Sequence, residues 1–196
     1  MNPNQSKLLT HLETVTNLFQ LNVLWIIFCL PLVTIAPATV AMYCVIRQWI
    51  VHQDPGVYRS FMHFFKENFK KSFLIGLLLF ATAGFFYINF FSILKVDFMQ
   101  PLFLAVWLAF AIFFTGFTLF LFPVMAHFEG TIRKTLQNTI FFTIGRLPVT
   151  LLLLAIATFS ALAIYSVPFS FFFIVSTGSY LIYLICHKTF VKMIKA

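Results

Sequence analysis

Charge is what this sequence has least of. Of 196 residues only 9% are Asp, Glu, Lys or Arg, and five of those are acidic. They leave four long gaps: no charged residue falls between Glu13 and Arg47, Lys71 and Lys95, Asp97 and Glu129, or Arg146 and Lys188. A hydrocarbon core about 30 Å thick takes roughly 20 apolar residues of helix, so each gap holds at least one crossing. This excludes a water-soluble globule and predicts an all-α, polytopic transmembrane bundle. With 61% hydrophobic residues along the whole length, residues 1–196 read as a single integral membrane domain with no room for a separate soluble one.

Other absences narrow the chemistry. The three cysteines, Cys29, Cys44 and Cys186, have no paired spacing, so neither a disulfide framework nor a zinc site is expected. There is no glycine-rich phosphate loop and no His-Glu-x-x-His helix face. The histidines at 11, 52, 63, 127 and 187 fall near the ends of different spans and read as interfacial residues rather than a shared site. No catalytic, cofactor or metal residues are expected, and no enzyme. All five acids lie at or beyond span ends, which disfavours cation-coupled transport, because that needs a titratable group inside the membrane. The N-terminus lacks the short apolar core and cleavage site of a signal peptide, so its apolar segment reads as a retained span.

What is present sets the topology. Spans are expected at about 8–30, 35–51, 72–94, 101–126, 148–167 and 169–187. The first two result from splitting one long apolar run at Pro31, since the residue before a proline leaves helical space. Thr34 then stands where it would cap the second helix, with Pro37 in its first turn. Five spans are the alternative. In the six-span arrangement all of the 13 Lys and Arg except Lys95 lie on one side, which the positive-inside rule makes cytoplasmic, with both termini. That rule also accounts for the net charge of +8 without nucleic acid.

Two amphipathic segments, 57–71 and 128–146, lie on that side. In the first, Arg59, His63, Lys66 and Lys70 share one helical face and Phe61, Phe65 and Phe69 the opposite one. Such a helix is expected in the headgroup plane, rings in acyl chains, basic face outward. In the second, Thr131, Thr135 and Thr139 recur every fourth residue, Ile132, Leu136 and Ile140 form an apolar stripe, and Glu129 stands four before Arg133 as in a helical ion pair. Arg59, His63, Lys66, Lys70, Arg133 and Lys134 are candidates for docking a partner or lipid. Asn22, Tyr43 and Asn89 are candidates for a solute path. Small-residue runs, Ala81-Thr82-Ala83-Gly84 and Ser176-Thr177-Gly178-Ser179, suggest close helix packing.

The stretch Leu30-Pro31-Leu32-Val33-Thr34-Ile35-Ala36-Pro37-Ala38-Thr39, preceded by Leu21-Asn22-Val23-Leu24-Trp25, resembles the opening signature of the YesL-like family. Phe65-Lys66-Glu67-Asn68-Phe69 and Phe128-Glu129 with Lys134, Leu136 and Asn138 resemble that family's loop motifs, making Pro31, Thr34, Pro37, Asn68, Glu129 and Asn138 signature positions. Ala36 stands where the family usually has Gly, and His127 where it usually has Arg. The resemblance implies a small multi-span protein of the bacterial plasma membrane, mostly in Gram-positive species, encoded near carbohydrate uptake systems. The expected function is a non-enzymatic accessory component of carbohydrate uptake. Its partners would be membrane lipids and carbohydrate ABC importer subunits, or a second copy of itself. The alternative is a small autonomous transporter or channel for a neutral solute.

Overall fold

A computed structural model describes residues 3–52, 56–93 and 100–194. Its helices are α1 (Pro3–Cys29), α2 (Ile35–His52), α3 (Tyr58–Ile93), α4 (Gln100–His127), α5 (Ile132–Gly145), α6 (Leu147–Ser166) and α7 (Phe171–Ile194), with 3₁₀ turns at Leu32–Thr34 and Pro168–Ser170. Among the described residues there is no strand. Lys95 and Asp97 lie outside the described residues, as do the side chains of Lys7, His11 and His52.

Five helical stretches are long and apolar enough to cross a membrane: Leu32–Val51, Tyr58–Ile93, Pro101–His127, Leu147–Ser166 and Pro168–Met193. The N-terminal apolar stretch, Glu13–Cys29, is shorter. The expected bundle is therefore present: five helices are long and apolar enough to cross, and α1, 27 residues in all, carries a further apolar stretch.

The centre is α2. Val40, Ala41, Val45 and Ile46 are fully buried, wrapped by α1, α3, α4 and α7. The outward faces of α3, α4 and α6 carry Leu and Phe throughout, including Leu77, Phe85, Leu108, Leu151 and Phe159. An apolar exterior around a closed core is what a lipid solvent selects.

The breaks follow from proline. Pro31 is extended (φ −77°, ψ 117°) and ends α1. The Thr34 hydroxyl donates to the carbonyls of Phe28 at 2.6 Å and Pro31 at 2.7 Å. It thus closes the end of α1, where helix carbonyls lack partners, instead of capping α2 as expected. Pro37 is buried in the first turn of α2, where its missing N–H costs nothing. At the other break Arg146 leaves helical geometry (φ −131°, ψ 52°) two residues ahead of Pro148, and its carbonyl accepts the N–H groups of Val149 and Thr150.

Four expectations are corrected. Segment 57–71 is no separate surface helix: α3 runs unbroken through 36 residues, about 54 Å at 1.5 Å per residue. Its phenyl face is turned to protein at its first two rings, with Phe65 half-buried, while Phe69 meets rings of its own helix. Phe61 is fully buried, and the Phe28 ring of α1 stands 5.4 Å from Phe61 and 4.8 Å from Phe65. In α5 the threonines, not the isoleucines, form the buried stripe. Thr135, Thr139 and Thr143 are buried and donate to carbonyls four residues back, whereas Ile140 is exposed. A hydroxyl that bonds its own helix presents a small methyl face, and that lets α4 approach. Finally, the 81–84 run is no close helix seam: Gly84 has open space where a side chain would be and Ala83 borders a groove beside α4, while Gly178 meets Ser160.

Candidate functional site

Polar side chains converge where the C-terminal ends of α2, α4 and α7 meet the N-terminal part of α3 and the 128–131 link. Arg47 of α2 organises this end. Its Nη1 donates to the Ala126 carbonyl at 2.9 Å, in the last turn of α4, where unpaired carbonyls and the helix dipole favour a cation. Beside it His127 Nδ1 lies 3.1 Å from the Tyr183 hydroxyl. The His127 and His187 rings stand 5.6 Å apart, and Phe190 lies 5.0 Å from His127. Two histidines read as unrelated in sequence thus share one aromatic cluster.

Next to Arg47 is an open cleft of about 720 Å³. Cys44, Arg47 and Gln48 of α2 form one wall, and Arg59, Ser60, His63 and Phe64 of α3 the other, with Glu129 at the link. His63 Nε2 is 3.6 Å from Glu67, one helical turn on. Among the described residues this is the one contact within 4.0 Å between a carboxylate and a basic side chain, and none of those residues pairs a carboxylate with Arg47 or Arg59. Arg47 Nε is buried without an acceptor. The cleft can accept an anion and hydrogen-bond it. Among the described residues, no three His, Cys, Asp or Glu are grouped to hold a metal.

The residues singled out in the sequence divide between places. Arg59, His63, Lys66 and Lys70 are exposed on α3, and Arg133 and Lys134 are exposed on α5. Glu129 precedes α5, whose first residue is Ile132. It faces the cleft instead of forming a helical pair with Arg133. Asn68 donates to the Phe64 carbonyl at 3.2 Å within its own helix, and Asn138 is half-buried on α5.

The solute-path candidates are not brought together. Asn22 is buried and donates to the Phe171 carbonyl at 2.9 Å, joining α1 to α7. Tyr43 is buried, stacked 6.4 Å from Phe122. Asn89 donates to Phe85 in its own helix at 2.7 Å. Arg47, Cys44 and Gln48 were missed, although one signal pointed to them: Arg47 is the first charge after Glu13 and falls inside a helix that is otherwise apolar.

Comparison with known proteins places these features. Residues 18–90 match the family model described as "Protein of unknown function, DUF624". The chain is 33% identical over 184 residues to "Uncharacterized protein YesL" of Bacillus subtilis (strain 168), covering 91% of this chain and 87% of the relative. Against "Uncharacterized protein YteU" of the same organism identity is 29% over 191 residues, covering 94% and 83%. Against "Uncharacterized protein YesV" it is 30% over 145 residues, covering 66% and 65%. No solved structure matches the chain.

Proposed function

The chain belongs to the YesL-like family of multi-helix membrane proteins, and from that premise we propose that it is a non-enzymatic accessory component of carbohydrate uptake. It docks a partner through the basic surface of its polar end. The observation that carries this reading is the fixed amphipathic division of α3. The phenyl face is held inside the bundle by Phe28, which leaves Arg59, His63, Lys66 and Lys70 displayed on a rigid rod. A cationic face on a packed helix is preorganised, so little side-chain and backbone ordering is left to oppose binding. By the positive-inside rule this end faces the cytoplasm of a bacterial cell. The partner supported by the family resemblance is a subunit of a carbohydrate ABC importer.

The test is a double replacement, Lys66→Glu with Lys70→Glu, at two exposed positions. Insertion and yield should be unchanged, while importer subunits no longer co-purify after mild solubilisation. Co-purification at the wild-type level would contradict the reading.

A further inference from the structure

The cleft beside Arg47 carries a sharper assignment than a basic docking face. Arg47 is half-buried, spends Nη1 on the Ala126 carbonyl, and keeps a buried Nε with no acceptor. Its guanidinium meets the cleft half-buried and, among the described residues, without a carboxylate within 4.0 Å, so an anion there would supply a counter-charge. Arg59 lines the same cleft from α3, and Ser60 adds a neutral donor. Two guanidiniums suit phosphate in particular, because their forked N–H groups match its oxygens in pairs.

Glu129 faces the same space without pairing to either arginine within 4.0 Å. A simple anion would meet that carboxylate unfavourably. A ligand bearing both signs satisfies all of the charges at once. Of the cationic groups that accompany phosphate, a primary ammonium donates hydrogen bonds to a carboxylate. A quaternary ammonium prefers a cage of aromatic faces, and the two rings that line the cleft, His63 and Phe64, are neighbours on one wall and enclose nothing.

We propose that this cleft binds phosphoethanolamine chemistry, with the phosphate on Arg47 and Arg59 and the ammonium on Glu129, supplied as a lipid headgroup or as a free molecule. The assignment shares Arg59 and His63 with the docking reading but does not rest on it, and the Lys66 and Lys70 replacements that test that reading lie outside the cleft lining.

The experiment is native mass spectrometry of the purified full chain in mild detergent, with phosphatidylethanolamine, phosphatidylglycerol and phosphatidylcholine offered at equal concentration. Wild type should retain phosphatidylethanolamine about tenfold over the other two, the ratio one charge-assisted pair supplies. Glu129→Gln should erase the preference over phosphatidylglycerol. Arg59→Gln, at an exposed position, should lower phosphatidylethanolamine retention about tenfold, and Arg47→Gln should do the same. If Arg47→Gln fails to fold, Arg59→Gln decides alone. Free O-phosphoethanolamine that displaces the lipid identifies a soluble ligand, and failure to displace it identifies the headgroup; either supports the assignment. Equal retention of all three lipids by wild type, or retention unchanged in Arg59→Gln, overturns it.

Discussion

At the scale of single residues, glycine shows how close the helices come. A Cβ built on Gly76 would lie 2.6 Å from the Ala36 Cβ, and one on Gly116 would lie 2.6 Å from the Thr150 methyl. Neither contact can be made without moving a helix. Gly76→Ala and Gly116→Ala should each destabilise the protein by about 1–3 kcal/mol, the usual range for overpacking. Gly84→Ala, with open space around it, should be neutral or slightly stabilising in a helix interior. Thermal unfolding in one detergent compares the three; equal midpoints for all would contradict the packing described. Composition alone could not separate these glycines, because a small residue matters only where a second helix approaches. The Ala81–Gly84 run looked like such a place in sequence, but α4 leaves a groove beside Ala83 and open space at Gly84. Asn22, a solute-path candidate in sequence, instead joins two helices by donating to the Phe171 carbonyl, and only the packed structure separates it from Asn89, which bonds its own helix.

At the scale of elements, periodicity told which residues share a face and was silent on what covers it. Phe61, Phe65 and Phe69 lie on one side of α3 as their spacing demands. That the cover is Phe28 of α1, and not acyl chains, depends on a contact between segments far apart in sequence. The difference is measurable. With Phe61 fully buried, Phe61→Ala should cost about 3–5 kcal/mol. A ring dipping into lipid would be lost with little effect on unfolding in detergent, and that outcome would restore the surface-helix arrangement. The same logic reverses the faces of α5. Thr139→Leu, which puts a larger side chain against α4, should be more damaging than Ile140→Ser at the exposed position beside it. Equal tolerance would mean the threonine stripe is not the packed one. The break at Pro31 was the most legible, since it acts through its own missing N–H and the residue just before it.

At the scale of the whole molecule, the charge-free gaps were enough to identify a helical membrane bundle, because a bilayer penalises charge wherever it falls in a span. They could not show that Arg47, ending the first gap, turns inward to the last turn of α4, or that His127 and His187 meet. Those depend on how the helix ends gather. The proposed orientation, both termini cytoplasmic, makes a further prediction: a reporter fused at residue 3 should read the cytoplasm and one at residue 34 the exterior. The same side for both would mean that α1 does not cross. The central claim, an accessory protein docked through its basic end, is tested most directly by cross-linking in native membranes followed by mild-detergent purification and mass spectrometry. Importer subunits should be recovered in stoichiometric amounts and joined to the exposed faces of α3 and α5. Recovery of this chain alone, or linked only to copies of itself, would contradict the account.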